Sequence, residues 1–591
     1  MKGRNYPPYY DASLVKSREQ MFAAFDTETD GLGGELLLVT WAIAGEEPRS
    51  GIIEGNDMIG ALIDVMKANP RPIWYAHNAQ YDWRYFMSYI KDNKLDHQIF
   101  MRTKTDIYQI KLFFPIEGSK KRLIVTMRDS MAFWPGKLSD LLTHYAPDLP
   151  KLAIDNIAHF NPNNPEHRAY AERDSVGLAV AMRNLDAMIR DQYGVGLKGT
   201  TASTAMAAWE AQIDRKYYIN ETNEKFIREA YFGGLVFLRN TRVNYNLETY
   251  DINSSYPDKM RRFDLPYGRS YHVTEYHGDK LGIYRVILKT NNVTLPCIPK
   301  RLESGGIIWP VGTFETVTTN VELEFALTHG YEILDILDGI IFEEALNPFA
   351  PFVDKCETIR NSFKGMPQET LAKLIQNSLY GKFGTRRERV TMFVPMNDED
   401  IRDAEPWDED QYWWVKTEEQ DIRCMPAWAV FITAYARLHL LQSAYDVGIG
   451  NVVYGDTDSL TMKTGHAERL SVGSRYGQFK LEKEWSTFRA IAPKVYVGTL
   501  ATSFKRKQKG AIMGAAKGLP DKKMMFCKWW QLMRNAETEV TYETLSSLKV
   551  QMKHATIGTR MVSRRSSDIG NSLGWVSDGQ GNVWPRLLET G

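Results

Sequence analysis

The stretch Tyr454-Gly455-Asp456-Thr457-Asp458-Ser459 directly follows the apolar pair Val452-Val453. An apolar strand that runs into glycine and two carboxylates predicts a β-hairpin with its turn at Gly455-Asp456-Thr457. Such a turn lifts the side chains of Asp456 and Asp458 out of the plane of a sheet. A single Asp-x-Asp string is more often an exposed acidic turn, so its meaning depends on what lies beside it in the fold.

A second acidic string, Asp251-Ile252-Asn253-Ser254-Ser255-Tyr256-Pro257, follows Leu247-Glu248-Thr249-Tyr250. If the strand that ends at Asp251 lies beside the first one, carboxylates converge with no basic side chain in either string. Clustered carboxylates repel one another unless divalent cations neutralise them, and hard oxygen ligands suit Mg²⁺. Two ions held in this way can stabilise the attacking and leaving oxygens of a phosphoryl transfer. The two strings together predict a site for nucleotidyl transfer.

A third string lies between the other two and reads Lys373-Leu374-Ile375-Gln376-Asn377-Ser378-Leu379-Tyr380-Gly381-Lys382-Phe383-Gly384. Lys373, Asn377 and Tyr380 follow one another at spacings of four and three, which puts them on one face of a helix. A lysine on that face can meet a triphosphate as a compact point charge, while Tyr380 offers a flat surface to a base. This helix therefore suits the binding of a nucleotide.

The first third of the chain carries a separate set of carboxylates. The apolar strand Met21-Phe22-Ala23-Ala24-Phe25 leads into Asp26-Thr27-Glu28, whose two acids share one face of a strand. Farther along, His77-Asn78-Ala79-Gln80-Tyr81-Asp82 follows an apolar run, and Tyr170 and Asp174 share one helical face. A metal ion lowers the pKa of water enough for the water to attack a phosphodiester. These carboxylates suit a second metal-dependent site.

These strings resemble the motifs of family B DNA polymerases. The string that begins at Asp251 is similar to motif A, the one that begins at Lys373 to motif B, and the one that begins at Tyr454 to motif C. The resemblance implies metal binding by Asp251, Asp458 and the backbone carbonyl of Ile252, with Asp456 in support. The nucleotide-binding residues that it implies are Ile252, Tyr256, Lys373, Asn377 and Tyr380. Tyr256 would be the steric gate against ribose, although Ser255 stands where the family usually has leucine.

The strings in the first third resemble the exonuclease motifs of the DEDD-y class. The resemblance implies two Mg²⁺ or Mn²⁺ ions in each active site of the chain. In the exonuclease site those ions would be held by Asp26, Glu28, Asp82 and Asp174, and Tyr170 would orient the attacking water. Because the strings occur in this order ahead of the polymerase motifs, the chain is expected to proofread.

The resemblance also implies contacts with DNA. Asn78 and Tyr81 would hold a frayed 3′ end by hydrogen bonding and stacking. The Ala230-Tyr231-Phe232-Gly233-Gly234-Leu235 string is similar to the Tyr-x-Gly-Gly motif, which couples synthesis and editing. Thr433 and Arg437 would face the template strand, and the Lys-x-Tyr string that follows Pro493 would steady the primer. The expected DNA-binding residues are Asn78, Tyr81, Ser130, Met131, Lys151, Tyr231, Gly233, Gly234, Thr433, Arg437, Lys494, Tyr496 and Lys517.

The resemblance runs from Phe22 to Pro520 and implies an α/β and α+β multidomain fold. An RNase H-like 3′–5′ exonuclease domain is expected in residues 1–190, and a right-hand polymerase domain in residues 191–591. The expected parts of the polymerase domain are a palm (191–257 and 428–500), a first insertion (258–355), fingers (356–385), a second insertion hairpin (386–427) and a thumb (501–591).

The segment from Asp258 to Ala372 is longer than a connection between a palm strand and a fingers helix requires, and it contains strand-like and helix-like runs. We therefore expect a small folded insertion. In the protein-primed subgroup of phages and linear plasmids, an insertion at this place contacts the priming terminal protein. A second insertion, here Arg386 to Pro426, closes a ring behind the duplex. The resemblance favours this subgroup, which implies a processive, strand-displacing polymerase.

Other interpretations stay open. A family B polymerase could start from nucleic-acid primers, or from none, and use the insertion for another purpose. A nuclease or nucleic-acid-binding protein could carry a palm-like half that is only structural. The intact Asp251, Asp456, Asp458 and Lys373 disfavour this, because nothing structural requires clustered, unpaired carboxylates. A reverse transcriptase is disfavoured because such enzymes lack the N-terminal exonuclease strings.

Length and composition are compatible with this interpretation. The chain has 591 residues, a mass of 67.8 kDa and a formal net charge of zero, so it can hold several domains with their own cores. The charge is unevenly distributed, because 505–509 and 386–389 are basic while 397–421 is strongly acidic. Such a distribution suits a protein that binds DNA in a channel and repels it elsewhere.

The four cysteines are isolated, which argues against a structural zinc site and against a disulfide framework. The segment Met1 to Pro8 lacks the apolar core of a signal peptide, and no apolar run is long enough to span a membrane. The expected compartment is the cytoplasm, that of the host cell if the protein is phage-encoded. Expected partners are a DNA primer–template, deoxynucleoside triphosphates and a terminal protein, with the chain itself as a monomer.

Overall fold

The computed structural model describes residues 20–31, 34–103, 106–155, 160–213, 223–291, 294–395, 400–407, 412–419, 424–505, 507–519, 528–534, 539–545, 559–565, 575–577 and 583–588. Several sequence predictions fall outside the described residues. These are the segment Met1 to Pro8, Arg506 of the basic cluster 505–509, Pro520 at the end of the resemblance, Cys527 and parts of the expected thumb (501–591). The three described cysteines, Cys297, Cys356 and Cys424, are buried.

The helices of the described residues are α1 (Met58–Ala68), α2 (Trp83–Asp92), α3 (Leu138–Tyr145), α4 (Pro165–Tyr193), α5 (Thr201–Glu210), α6 (Glu224–Glu229), α7 (Ser255–Arg262), α8 (Asn320–Thr328), α9 (Ala350–Ser362), α10 (Pro367–Phe383), α11 (Pro426–Val447) and α12 (Trp529–Met533). The strands of the first half are β1 (Phe22–Thr29), β2 (Leu36–Ile43), β3 (Arg49–Ile53), β4 (Ile73–Ala76), β5 (Asp96–Thr103), β6 (Asp106–Pro115), β7 (Arg122–Asp129), β8 (Val236–Leu238), β9 (Asn244–Ile252), β10 (Leu265–Val273) and β11 (Gly282–Thr290).

The strands that follow are β12 (Lys300–Arg301), β13 (Ile307–Ile308), β14 (Val311–Thr319), β15 (Tyr331–Leu346), β16 (Glu388–Phe393), β17 (Ala404–Pro406), β18 (Trp414–Glu419), β19 (Val452–Asp456), β20 (Ser459–Lys463), β21 (Phe479–Ala492), β22 (Val495–Leu500), β23 (Ile512–Ala516), β24 (Glu539–Leu545), β25 (Thr559–Arg565), β26 (Trp575–Ser577), β27 (Val583–Pro585) and β28 (Leu587–Leu588).

A ten-stranded sheet forms the N-terminal part, in the order β17-β18-β16-β5-β6-β7-β4-β1-β2-β3. Strand β1 is buried on both faces, since Phe22 and Ala24 pack in the core beneath α4, while Ala23 and Phe25 pack in a second core with α2. The strand pairs β1–β4 and β4–β7 are parallel and the remaining pairs are antiparallel. Helices thus cover both faces of the central strands, as a near-continuous apolar strand requires.

The last three strands of this sheet come from much later in the chain. Strand β16 pairs antiparallel with β5, with Thr391 opposite Phe100, and β18 pairs with β16. Met392, Trp413 and Val415 are buried in the same core as the residues of α2. The segment expected to be a second insertion hairpin of the polymerase half therefore extends the N-terminal sheet.

A seven-stranded antiparallel sheet carries the acidic strings, in the order β23-β22-β21-β9-β20-β19-β8. Its strand β23 comes from the segment expected to be the thumb, so this part of that segment belongs to the same sheet as the expected palm. Helices α7, α9, α10 and α11 pack together above the sheet around Phe349, Leu379 and Trp428. The sheet thus holds the acidic strings in fixed positions, which α10 can face.

Residues 265–346, together with the short strand β28, form a separate sheet, named the 265–346 sheet below, in the order β10-β15-β11-β14-β28. Its strands are antiparallel except for β28, which pairs parallel with β14. Val286 and Phe314 of this sheet share a core with Tyr454 and Trp485 of the seven-stranded sheet. The segment is therefore a folded unit that packs against the sheet with the acidic strings. In the part of the chain that the structure describes, no helix is long and apolar enough to cross a membrane.

Two candidate active sites

The turn between β19 and β20 consists of Thr457 and Asp458, one residue later than the sequence predicts. Thr457 adopts a left-handed conformation with φ of 63°, and its N–H donates to the carbonyl of Leu235 at 2.8 Å. Gly455 lies inside β19 instead of in the turn, and it has no room for a side chain, since a Cβ there would lie 2.3 Å from the ring of Phe237 in β8. The neighbouring strand β8 thus fixes the position of the turn.

Asp251 joins this turn across the sheet. It lies opposite Ser459 in the β9–β20 ladder, and the N–H of Ile252 donates to the carbonyl of Asp458 at 2.7 Å. Burial, together with the charges of Asp251 and Asp456, raises the pKa of Asp458 to about 7. The structure therefore brings the three predicted carboxylates together at the ends of neighbouring strands, where the charges of Asp251 and Asp456 oppose the ionisation of Asp458.

Further charged groups surround Asp251. Burial and then the charge of Glu482 raise the pKa of its carboxyl, while Lys480, Lys373 and Lys483 lower it. Glu482 lies in β21 and pairs with Lys483 at 2.6 Å. Nothing in the local sequence around Glu482 indicates a site residue, because only the β9–β21 pairing brings it near Asp251.

The predicted primer-side residues lie on the other side of the turn. The Nζ of Lys494 pairs with Oδ1 of Asp456 at 2.6 Å, and its N–H donates to the hydroxyl of Tyr454 at 2.8 Å. The ring of Tyr496 packs 5.4 Å from that of Tyr454. Lys517 is exposed, and its N–H donates to the carbonyl of Lys494 at 3.2 Å. The lysine of the Lys-x-Tyr string thus reaches the carboxylate cluster itself.

The predicted nucleotide-binding side chains face the carboxylates from α10 and from the start of α7. The rings of Tyr256 and Tyr380 stack with centroids 4.2 Å apart and an interplanar angle of 19°. Lys373 and Asn377 are exposed on the same helix, and Lys373 is close enough to Asp251 to lower the pKa of its carboxyl. The stacked rings of Tyr256 and Tyr380 and the ammonium group of Lys373 therefore lie beside the carboxylates.

Arg360 of α9 is a site residue that the sequence analysis missed. Its Nη1 donates to Oγ of Ser254 at 2.7 Å and to the hydroxyl of Tyr476 at 2.8 Å. Ser254 has φ of 48°, a strained conformation for a residue with a Cβ. The neighbouring Ser255 is buried, and among the described residues its Oγ has no hydrogen-bond partner. The available signal for Arg360 was a basic residue in the helix before the third string.

The Tyr-x-Gly-Gly string touches both the turn and α10. A Cβ on Gly234 would lie 2.6 Å from Cγ2 of Thr457, and one on Gly384 would lie 2.7 Å from the ring of Tyr231. Gly233 has open space around its Cα, so it allows a close approach from outside. The string therefore links the end of α10 to the acidic turn through contacts that only glycine permits.

Thr433 and Arg437 do not face a template strand in this structure, which corrects the sequence prediction. The Oγ1 of Thr433 donates to the carbonyl of Ala429 at 3.0 Å within α11, and the residue is 2% exposed. Arg437 is 1% exposed and pairs with Glu322 at 2.6 Å. The polar groups of both side chains already have partners inside the protein.

The second carboxylate cluster lies at the end of β1. Asp26, Glu28 and Asp174 line a cavity of about 390 Å³ together with Lys151 and Tyr170. Asp82 is buried just behind the cavity, where it accepts a hydrogen bond from Oγ1 of Thr27 at 2.7 Å. The strand, the loop before α2 and the helix α4 thus bring together the four carboxylates and the tyrosine that the sequence singled out.

The electrostatics of this cluster follow from burial. Burial and then the charges of Glu28, Asp82 and Asp174 raise the pKa of Asp26 well above its usual value. Burial, followed by the charge of Asp174, raises the pKa of Glu28 to about 7. Lys151 offsets part of this repulsion through an ion pair with Asp174, and its Nζ lies 4.4 Å from the centre of the Tyr170 ring. The cluster is therefore rich in oxygen donors and poor in compensating charge.

The other predicted contacts of this site divide into two groups. Asn78 is exposed with φ of 64°, and Tyr81 and Met131 are partly buried near the cavity. Ser130 is fully buried and donates to the carbonyl of Ala76 at 3.0 Å, so it does not reach a phosphate. Its Oγ also contacts Nδ1 of His77 at 2.9 Å. The prediction for Ser130 is corrected to support of the cavity wall.

The donor sets of both clusters suit hard divalent cations. They consist of carboxylate and carbonyl oxygens, and Oδ1 of Asp174 is buried without a hydrogen-bond partner in the described part of the chain. No three histidine, cysteine, aspartate or glutamate side chains among the described residues lie close enough together to form a complete metal site. Lys494 pairs with Asp456 and Lys151 pairs with Asp174, so one carboxylate of each cluster is neutralised by a lysine. The remaining carboxylate oxygens fit divalent cations by their chemistry.

Residues 163–439 match the family described as DNA polymerase type B, organellar and viral. The probable DNA polymerase of Ascobolus immersus is 24% identical over 526 residues, which cover 76% of this chain and 43% of that protein. The DNA polymerase of Bacillus phage M2 is 27% identical over 431 residues, which cover 65% of this chain and 70% of that protein. The chain thus spans less than half the length of some curated relatives that it matches.

A solved structure of phi29 DNA polymerase in an orthorhombic crystal form has a TM-score of 0.74 to this chain. The two are 19% identical, and the match covers 92% of this chain and 99% of the other. A likeness at this identity shows the fold. The expected multidomain architecture, with an exonuclease-like part followed by a right-hand part, is confirmed.

Proposed function

We propose that this chain is a type B DNA polymerase of the organellar and viral kind, which copies a DNA template and edits its product with a 3′–5′ exonuclease. The observation that carries the proposal is the presence of two separate carboxylate clusters in one chain. One includes Asp251 and Asp458 beside the stacked rings of Tyr256 and Tyr380, and the other includes Asp26 in its own cavity. Residues 1–190 and 191–591 are the proposed editing and synthesis regions.

Mg²⁺ or Mn²⁺, two ions at each site, is the proposed cofactor. For synthesis the ligands would be Asp251, Asp458 and the carbonyl of Ile252, and for editing Asp26, Glu28 and Asp174. When bound, the ions stabilise charge that develops on phosphate oxygens and lower the pKa of the attacking oxygen. Because burial and mutual repulsion hold the pKa of Asp458 and of Glu28 near 7, a divalent cation would favour the ionised forms.

The chain's own residues position the reactants for synthesis. Lys373 would bind the triphosphate as a point charge, and Asn377 lies one turn farther along the same exposed face of α10. The Tyr256–Tyr380 stack would support the sugar and base of an incoming deoxynucleoside triphosphate. Lys494 would exchange its pairing with Asp456 for the primer terminus. These groups hold the two reacting oxygens near the carboxylates, which is the main contribution a protein makes to phosphoryl transfer.

Editing is assigned to the N-terminal cavity. Tyr170 would orient the attacking water, and Lys151, which now pairs with Asp174, would meet the phosphate of the scissile bond. Asn78 and Tyr81 would hold the frayed end at the mouth of the cavity. The cavity volume of about 390 Å³ accommodates one nucleotide better than a duplex.

The finer proposal is that synthesis starts on a terminal protein and is processive and strand-displacing, on a phage or linear plasmid genome. It is supported by the similarity to a phage DNA polymerase and by the folded 265–346 sheet, which lies where the protein-primed subgroup has its first insertion. The alternative is a family B polymerase that uses nucleic-acid primers or none. A covalent adduct of the first nucleotide with a protein encoded beside this chain distinguishes the two.

The first test of the proposal is the substitution Asp458→Ala. It removes a metal ligand at the synthesis site, so nucleotide incorporation on a primer–template with Mg²⁺ should fall by about three orders of magnitude or more. Degradation of single-stranded DNA should continue at the parental rate. The exposed Asp446, in the neighbouring helix α11, offers Asp446→Ala as a matched control. Substantial synthesis by Asp458→Ala would contradict the assignment of this cluster.

The second test concerns the editing cluster. The double substitution Asp26→Ala and Glu28→Ala removes two carboxylates that share one face of β1, so excision of a mispaired 3′ nucleotide should be abolished. Incorporation of correct nucleotides should stay within about twofold of the parent, because the second cluster is intact. A parallel loss of synthesis and excision would mean that the two clusters do not act separately.

A further inference from the structure

A buried ion pair joins the 265–346 sheet to the centre of the molecule. Arg437 of α11 and Glu322 of α8 have fully buried side chains, and Oε1 of Glu322 accepts hydrogen bonds from Nη2 at 2.6 Å and from Nε at 3.0 Å. Removing two charges from water is costly, and apolar residues of the same size often stabilise a fold as well or better. The pair therefore calls for an explanation other than stability alone.

Glu322 is held rigidly by the start of its own helix. Its other oxygen, Oε2, accepts hydrogen bonds from the hydroxyl of Thr318 at 3.0 Å and from that of Thr319 at 2.9 Å. Thr319 is the N-cap of α8, and the reciprocal bonds between the two residues form a capping box. Because both oxygens are engaged, the 265–346 sheet fixes the direction in which the carboxylate points.

Arg437 connects Glu322 to the backbone of the Tyr-x-Gly-Gly string. Its Nη1 donates to the carbonyl of Phe232 at 2.7 Å and to that of Gly233 at 2.9 Å. The rigid guanidinium fork therefore ties two consecutive carbonyls to Glu322, which a flexible lysine ammonium cannot do. A second contact reaches the same string from β12, since Arg301 donates to the carbonyl of Tyr231 at 2.7 Å.

The Tyr-x-Gly-Gly string also contacts the turn between β19 and β20. Gly234 lies against Thr457, and the carbonyl of Leu235 accepts the Thr457 N–H at 2.8 Å. The hydroxyl of Thr457 donates to Oδ1 of Asp456 at 3.0 Å. A continuous series of contacts thus runs from Glu322 through Arg437 and the string to a carboxylate of the synthesis site.

We propose that Glu322 is a positioning residue which, through Arg437, fixes residues 231–234 and thereby sets how a primer terminus divides between synthesis and editing. The inference rests on the proposed function. Neither side chain touches DNA in this assignment, and the 265–346 sheet acts on the synthesis site through the backbone of the string. The sheet would then influence every round of synthesis, whether or not a protein partner occupies it.

The test compares two single substitutions in the full chain. Glu322→Gln keeps the size of the side chain and an oxygen for the threonine hydroxyls but removes the charge. Arg437→Lys keeps the charge but loses the fork. Both should lower the ratio of primer extension to excision on a matched primer–template by about 2- to 30-fold. Degradation of single-stranded DNA, which does not need the string, should be unchanged.

The control variant is Glu324→Gln, an exposed glutamate on the same helix, whose ratio should equal that of the parent. If the single variants do not fold, the double variant Glu322→Leu and Arg437→Met replaces the pair by apolar groups of similar volume. A shifted ratio in that stably folded variant supports positioning. A parental ratio in the singles, or in the double if it alone folds, overturns it. A parent that neither extends nor degrades DNA would instead contradict the proposed function.

Discussion

At the scale of single residues, the sequence predicts the carboxylates better than it predicts the contacts with DNA. Asp251, Asp456 and Asp458 could be assigned from the sequence because each follows a short apolar strand and converges once the strands pair. The resemblance implies DNA contacts for Arg437 and Ser130, but both side chains are buried. Charged and hydroxyl side chains are mostly exposed, and a fully paired interior arginine leaves no local signal in the sequence.

Tyr256 gives the residue-scale prediction. Its ring stacks on Tyr380 at 4.2 Å and would leave no space for a 2′-hydroxyl beneath the sugar of a nucleotide. The smaller side chain of Tyr256→Val should therefore weaken discrimination against ribonucleotides by about 10- to 200-fold, measured as the ratio of the two kcat/KM values. Tyr245→Val, at a tyrosine that is 65% exposed, serves as the control. Unchanged discrimination would mean that the neighbouring Ser255 has shifted the gate elsewhere.

At the scale of elements, α10 shows how much a helix can be predicted from spacing alone. The sequence indicated a helix with Lys373, Asn377 and Tyr380 on one face, and the structure has it from Pro367 to Phe383. The requirement for glycine just after the end of this helix could not be predicted from spacing. Gly384 is required by the ring of Tyr231, which is more than 150 positions earlier in the chain, and no periodic pattern records such a contact.

Two glycines near the end of α10 provide a matched pair of substitutions. In Gly384→Ala the new Cβ would meet the ring of Tyr231 at 2.7 Å, while in Gly381→Ala it would meet nothing within 4 Å. We expect Gly384→Ala to lower the free energy of unfolding by about 1–3 kcal/mol, since added volume in a packed contact is costly. It should also reduce primer extension, because Tyr231 would be displaced.

Gly381→Ala should have the opposite effect on stability. An exposed alanine in a helix reduces the entropy of the unfolded chain, so a gain of about 0.4–1 kcal/mol is expected. Urea denaturation followed by circular dichroism measures both variants. Equal stability of the two alanine variants would show that the ring of Tyr231 moves aside without cost.

At the scale of the whole molecule, the N-terminal sheet is not confined to the N-terminal part of the chain. Strand β16 pairs with β5 although almost 300 residues separate them, and Trp413 packs against His97 with ring centroids 5.2 Å apart. The sequence predicts a hairpin of the polymerase half for this segment, because strand pairing at this separation leaves no mark in local composition. Deleting residues 386–427 would therefore expose the editing core and would not be a clean test of processivity.

Trp413→Ala tests this shared sheet. The indole is fully buried in the core that also holds Trp83, the first residue after Asp82, so its loss should destabilise the fold by about 3–5 kcal/mol. Although Trp413 lies far from the editing residues in sequence, excision should fail at a lower temperature than in the parent. Synthesis at that temperature should fail later than excision, because the seven-stranded sheet has a separate core. Trp584→Ala, at an indole that is 44% exposed, is the control and should leave both midpoints unchanged. If synthesis were lost first in Trp413→Ala, the segment would belong mechanically to the polymerase half, despite its pairing with β5.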